Sequence, residues 1–194
     1  MKHFSFLFAF LILIACGDQS TETDQQSTNQ APPTEDELIQ RLMAEYKTED
    51  GSLAAKQHNE IINYAIDNRL DLQVTESGLF YQILSQGEGD FIEMGDRLTA
   101  HYKGTLLDGT VFDSSYDRQK PIQFNVGQMI PGWNEGLQFM QPGSNAMFIC
   151  PSRLAYQDRA FTDPQTGEEI IPPNSILRFD LEVTARFRIP TATE

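Results

Sequence analysis

Apolar positions change their spacing along this chain, and the changes divide it into four stretches. Phe4 to Ile14 is almost wholly apolar, with Ser5 as its one polar break and Lys2 just ahead of it. A membrane-crossing helix needs about 20 apolar residues, so this shorter run predicts an export signal removed from the mature chain. Residues 17–33 hold no large apolar side chain and close on Pro32-Pro33. Such a stretch cannot bury a core and is expected to be a flexible tether. From Thr34 the spacing turns helical. Thr34 and Glu37 match a capping box, and Leu38, Leu42 and Tyr46 fall on one face with Ile39 and Met43 beside them. Gly51 interrupts the pattern. A second helix is predicted from about Ala54 to Asn68, with Ile61, Ile62, Ala65 and Ile66 as its apolar stripe.

After Leu70 the period becomes two. Leu79, Tyr81 and Ile83 alternate with Phe80, Gln82 and Leu84; Leu98, Ala100 and Tyr102 alternate with Thr99, His101 and Lys103. Asp108-Gly109 marks a hairpin turn between Leu107 and Val111. Leu177, Phe179, Leu181, Val183, Ala185 and Phe187 share one face, while Arg178, Asp180, Glu182, Thr184, Arg186 and Arg188 share the other. This alternation predicts an antiparallel sheet with one dry and one wet side. A short helix opens at Pro131, with Trp133, Leu137 and Met140 pointing one way, and stops at Pro142-Gly143. The expected fold is α+β: a curved antiparallel sheet wrapped over one short helix, preceded by a short helical extension. The expected divisions are a signal at 1–15, a tether at 16–33, the helical extension at 34–72 and the main domain at 73–190. The two helices of the extension read either as packed on that domain or as an arm for dimerisation or client holding through residues 34–70. Their short length and ordinary stripes favour packing.

Composition adjusts this picture in two places. The net charge of -14 argues against a nucleic-acid partner. The two cysteines have separate fates. Leu13-Ile14-Ala15-Cys16 resembles a bacterial lipobox, which makes Cys16 the expected lipidation site and anchors the mature chain to the cell envelope. Gly17, directly after Cys16, puts no acidic retention residue at that position, which favours the outer membrane, facing the periplasm. Cys150, in Ala146-Met147-Phe148-Ile149-Cys150, has no partner left for a disulfide and reads as a buried structural thiol.

Familiar catalytic machinery is missing from the sequence. It has no Gly-x-Ser-x-Gly elbow and no phosphate loop, and Gly87-Glu88-Gly89 reads as a turn. His3 leaves with the signal; His58 and His101 have no companion at ligand spacing, so no metal and no cofactor are expected. What stands out is an aromatic set, Tyr102, Phe112, Trp133, Tyr156 and Phe179, with Met129, Ile130, Ile170 and Ile171. Asp113 lies directly after Phe112 and before Ser114-Ser115. A carboxylate there needs partners if it is buried, and Tyr156 and Arg118 are the candidate donors.

Residues 73–188 resemble an FKBP-type peptidyl-prolyl cis-trans isomerase domain. The resemblance rests on His101-Tyr102-Lys103-Gly104, Leu107-Asp108-Gly109, Val111-Phe112-Asp113-Ser114-Ser115, Lys120-Pro121, Ile130-Pro131-Gly132-Trp133, Glu135-Gly136-Leu137, Ala155-Tyr156, Ile170-Ile171-Pro172-Pro173 and Leu177-Arg178-Phe179-Asp180-Leu181-Glu182-Val183, in that order. It implies an FKBP-like fold and a pocket that lowers the barrier to prolyl amide rotation by desolvation and by stabilising the twisted amide. Clients would be proline-containing polypeptides, among them exported proteins in need of folding. By the same resemblance, Tyr102, Phe112 and Phe179 form aromatic walls and Trp133 the floor. Met129 and Ile130 form one rim, and the Ile130 N–H bonds a substrate carbonyl. Tyr156 donates its hydroxyl to another carbonyl, Asp113 holds neighbouring polar groups, and Ile170 and Ile171 form the far rim. The expected catalytic group is therefore Asp113, Tyr156, Ile130 and Phe112.

This chain departs from the family pattern in three places. Ile122 stands where the family commonly carries an aromatic. The segment from Gly127 to Ile130 is shorter than in small relatives. Gln157 replaces the glycine after Ala155-Tyr156, ahead of a longer polar loop at 157–169. Ile122 and this loop keep open a second reading, a non-catalytic module that binds proline peptides or unfolded chains. The helical extension keeps open a third, an interaction protein.

Overall fold

A computed structural model describes residues 33–48 and 50–187. The signal at 1–15, Cys16, tether residues 17–32 and Arg188 lie outside the described residues. The first helix, α1 (Glu35–Ala44), begins with the capping box expected of it: Thr34 Oγ1 accepts from the Glu37 N–H at 3.3 Å, and Glu37 Oε2 accepts from the Thr34 N–H at 2.8 Å. Leu38 and Leu42 are buried. Tyr46 does not share their face, because the helix ends at Ala44; Met43 and Tyr46 are 48% and 40% exposed. Helix α2 (Leu53–Asp67) is capped by Ser52 Oγ, which accepts from the Ala55 N–H at 3.1 Å. Ile61, Ile62 and Ala65 are fully buried, and Ile66 is half-buried.

The strands are β1 (Gln73–Val74), β2 (Phe80–Ser85), β3 (Arg97–Leu106), β4 (Val111–Ser114), β5 (Ile122–Asn125), β6 (Asn145–Cys150), β7 (Phe161–Thr162), β8 (Glu169–Ile171) and β9 (Leu177–Phe187). Seven of them form one antiparallel sheet in the order β1-β2-β6-β9-β3-β4, with β5 also on β3; β7 and β8 make a separate two-stranded ribbon. The β3–β4 turn falls at Asp108-Gly109 as the sequence predicts. The Leu106 N–H bonds the Thr110 carbonyl at 2.9 Å, and Asp108 Oδ1 accepts from the Thr110 N–H at 2.8 Å.

Helix α3 (Pro131–Gly136) lies against the concave face, where Leu98, Ala100, Tyr102, Phe148, Phe179, Leu181 and Val183 meet Trp133 and Leu137 in the main core. The helix sits very close to β6. A Cβ on Gly136 would fall 2.7 Å from the Phe148 ring, so the absence of a side chain there sets the helix-to-sheet distance.

The opposite face is not uniformly wet, which corrects the expectation of one dry and one wet side. Phe80, Met147 and Ile149 are buried there beneath Leu38, Leu42, Ile61, Ile62 and Ala65. The unbroken apolar run of β6 explains this, since a strand buried on both faces cannot alternate. Arg178, expected in water, is half-buried on the same side. It donates to the Tyr64 hydroxyl of α2 at 2.9 Å and to Asp180 at 2.9 Å. The apolar stripe of the extension is thus spent on the sheet.

Candidate active site

The site is built around the start of α3. Pro131 occupies the first helical turn, where its fixed φ suits the helix and its missing N–H costs little. Trp133 follows in the same turn and is 2% exposed. The preceding loop is tied to this helix by Asn134. Its Oδ1 accepts from the N–H groups of Gly127 (2.8 Å) and Met129 (3.2 Å), and its Nδ2 donates to the Met129 carbonyl at 2.7 Å. Met129 and Ile130 therefore have a fixed place beside the indole. The Ile130 N–H makes no hydrogen bond among the described residues.

The sheet supplies the walls. Tyr102 on β3 and Phe179 on β9 both meet the indole nearly edge-on, each with ring centres 5.3 Å apart and planes at 85°. Phe112 on β4 meets Phe179 at 5.6 Å and 85°. A Cβ on Gly104 would lie 2.5 Å from the Phe112 ring, so the cross-strand glycine leaves room for that wall. Together these groups enclose a cavity of about 210 Å³ lined by Tyr102, Phe112, Asp113, Gln128, Met129, Ile130, Trp133, Tyr156 and Phe179.

Asp113 is the electrostatic centre. One carboxylate oxygen accepts from the Tyr102 hydroxyl; the other accepts from Arg118 Nη1 and from the Ser114 N–H at 2.8 Å. Arg118 Nη2 also donates to the Tyr102 hydroxyl at 3.2 Å. Burial and donation to Asp113 push the Tyr102 phenol up to about 12. Hydrogen bonds to Tyr102 and Asp113 hold the Arg118 guanidinium more firmly in its charged form. With three donors on it, Asp113 is an organiser rather than a free base.

Tyr156 is not one of its partners, contrary to one of the two expected donors. The Tyr102 hydroxyl takes that place, because β3 and β4 pair side by side at Gly104 and Asp113. The Tyr156 hydroxyl makes no hydrogen bond among the described residues. Burial, then the nearby charge of Asp113, raises its pKa, so it stays a donor. Its ring packs on Phe161 at 4.3 Å.

Ile170 and Ile171 do not line the cavity. The long 157–169 loop folds back as the β7–β8 ribbon, held by a turn in which the Asp163 carbonyl accepts from the Gly167 N–H and the Glu168 carbonyl from the Asp163 N–H, each at 2.8 Å. Ile171 pairs with Phe161 and is buried in the core, and Ile170 is half-buried. Three contributors were not singled out from the sequence: Gln128 at the rim, Phe161 behind Tyr156, and Phe124, whose ring sits 5.6 Å from the indole. Phe124 was legible. It lies two positions after Ile122 on one strand, hence on the same face, and packs on the indole without lining the cavity.

This geometry offers an apolar bed, unengaged donors at the Ile130 N–H and the Tyr156 hydroxyl, and no unpaired carboxylate, imidazole or thiol among the cavity-lining residues. Comparison with known proteins places it. A family model described as FKBP-type peptidyl-prolyl cis-trans isomerase matches residues 89–184. A probable FKBP-type peptidyl-prolyl cis-trans isomerase of Haemophilus influenzae is 35% identical over 164 residues, covering 84% of this chain and 66% of the relative. The FkpA of Escherichia coli K12 is 33% identical over 171 residues, covering 87% of this chain and 59% of the relative. The crystal structure of AtFKBP13 matches with TM-score 0.54 and 37% identity, covering 60% of this chain and 98% of that one. The chain thus spans less than two thirds of the length of these two curated relatives.

Proposed function

The chain belongs to the FKBP-type peptidyl-prolyl cis-trans isomerase family, and on that premise we propose that its pocket accelerates cis-trans rotation about Xaa-Pro bonds in polypeptide clients. The observation that carries this reading is the cavity itself: a nearly buried indole floor, aromatic walls and a fully engaged carboxylate.

Amide resonance sets a rotational barrier of about 18–20 kcal/mol. In water, hydrogen bonds to the amide oxygen stabilise the planar, polar ground state. The prolyl ring settles on Trp133 between Tyr102, Phe112 and Phe179, where that water is excluded. The twisted amide is less polarised and loses less on entering, so the pocket favours it over the flat one. The Ile130 N–H and the Tyr156 hydroxyl bond flanking carbonyls and hold the chain while the bond turns. Asp113 keeps Tyr102 and Arg118 in place. Lowering the barrier by about 5–8 kcal/mol brings a step of tens of seconds to milliseconds or faster.

The test is cis-to-trans conversion of a short Xaa-Pro peptide by protein beginning at Gly17, repeated with Asp113→Ala, Tyr156→Phe and Trp133→Ala. Acceleration by the parent that falls in all three variants is expected. A parent no faster than buffer overturns the enzyme reading, and variants as fast as the parent overturn the site. The groove beside the pocket, lined by Arg118, Lys120, Pro121, Ile122 and Gln123, favours a second reading, a module that holds proline-containing chains without useful turnover. Peptide binding without acceleration would select it.

The cellular setting belongs to the same proposal. The apolar run before Cys16 supports a lipid anchor at that cysteine, with the folded part in the periplasm under the outer membrane and exported proteins as clients. Fatty-acid labelling lost in Cys16→Ser supports the anchor; labelling retained overturns it. A homodimer through residues 34–70 would use faces other than the buried stripe, such as the exposed Met43, Tyr46 and Leu53. Light scattering that gives a monomer removes it.

A further inference from the structure

Helix α2 lies outside the segment matched by the family model, yet it reaches the site through Gln57. This side chain is 4% exposed, and both its amide oxygen and its amide nitrogen are hydrogen-bonded. Gln57 Oε1 accepts from both the backbone N–H and the hydroxyl of Ser152, each at 3.0 Å, and Gln57 Nε2 donates to the Asn174 carbonyl at 2.6 Å. The contacts close into a ring. The Gln157 N–H donates to the Ser152 carbonyl at 2.9 Å, and the Asn174 N–H donates to the Gln157 carbonyl at 2.7 Å. Tyr156 belongs to the segment that this ring closes, one residue before Gln157.

Two members of the ring hold a backbone conformation that side chains disfavour. Gln157 has φ 59° and Asn174 has φ 59°. The left-handed region is uncommon for residues other than glycine and persists when surrounding contacts over-determine it. Glycine adopts this region freely, and neither residue is glycine, so this chain meets the backbone requirement with contacts rather than with a permissive residue.

We infer that Gln57 is a positioning residue: it fixes the 152–157 turn and thereby aims the Tyr156 hydroxyl into the pocket. The inference rests on the proposed use of Tyr156. It makes helix α2, which touches no substrate, part of the site's geometry.

A double-mutant cycle in the full chain tests it. Gln57→Met keeps length and removes all three hydrogen bonds. Its kcat/KM on an Xaa-Pro peptide is expected to fall about fivefold, the effect of roughly one misplaced hydrogen bond. In a Tyr156→Phe background the same change is expected to cost little, because the hydroxyl it aims is gone. Equal losses in both backgrounds, or none in the parent, overturn the inference. If Gln57→Met does not fold, Ser152→Ala, which deletes one of the two bonds to Oε1, runs the same cycle under the same criteria. An activity-free readout separates this inference from the isomerase reading: the ring NMR resonances of Tyr156 in the resting protein. They are expected to shift in the Gln57 or Ser152 variant while the Trp133 indole resonance holds, and an unmoved Tyr156 overturns the positioning role even if the parent proves inactive.

Discussion

Tyr156 and Tyr102 carry the same functional group and are set up for different work. The Tyr102 hydroxyl is committed to Asp113, whereas that of Tyr156 has no described partner and lines the cavity. Removing it leaves no protein group unpaired. Tyr156→Phe is therefore expected to lower kcat/KM about tenfold, the value of one hydrogen bond of about 1.4 kcal/mol made during the reaction, with the thermal midpoint unchanged. Peptide kinetics beside calorimetry check both halves. At Tyr102, donation to Asp113 and the charge of that carboxylate add to burial in holding the proton. Asp113→Ala removes two of these causes, so the phenol's titration midpoint should drop from about 12 toward 10.0. Ultraviolet titration of the phenolate reads this directly, and an unmoved midpoint would contradict the assigned contact.

At the scale of elements, two contacts fix where the helices sit. Gly136 lets α3 approach Phe148, and a methyl there must push the helix, with Trp133 on it, away from the sheet. Gly136→Ala is expected to cost about 1–3 kcal/mol, read from the denaturant midpoint, and to weaken peptide binding as the floor moves. In α2, His58 lies buried against Phe80, with ring centres 4.9 Å apart. Its Nε2 meets the Glu45 carbonyl at 2.8 Å, which only accepts, so Nε2 carries the hydrogen and the unpartnered Nδ1 is bare. Burial lowers the pKa of this imidazole from 6.5. The sign follows: above pH 6.5 both folded and unfolded chains hold it neutral, and His58 takes nothing from stability. Below 6.5 the unfolded chain binds a proton that the folded chain refuses, and stability falls with pH until the depressed folded value is passed. Thermal midpoints measured downward from pH 7 should decline in the parent and decline less in His58→Gln.

Across the whole molecule, the extension works as a cover for the second face of the sheet. Deleting residues 33–70 would bare Phe80, Met147, Ile149 and Ile176. Each large apolar side chain left in water forfeits roughly 1.5–3 kcal/mol, so the shortened chain is expected to lose most of its stability and to aggregate. An unchanged denaturant midpoint would contradict the two-sided core. Much of this architecture is legible in the residues. The period-two runs, the Asp108-Gly109 turn, Pro131 at the helix start and the Thr34–Glu37 cap are local signals, because short-range sterics and nearby hydrogen bonds enforce them. The order of the aromatic motifs likewise marked Tyr102, Phe112, Asp113, Trp133, Tyr156 and Phe179, all of which line one cavity. Tertiary structure decided what local patterns do not encode. It drew Ile170 and Ile171 away from the cavity into a ribbon and core. It gave Asp113 the Tyr102 hydroxyl instead of Tyr156. It joined Gln57 to partners 95 and 117 residues away. A side chain's own neighbours in sequence set its backbone conformation, but its polar partners are whatever the packed elements bring within about 3 Å, and only the folded chain fixes that.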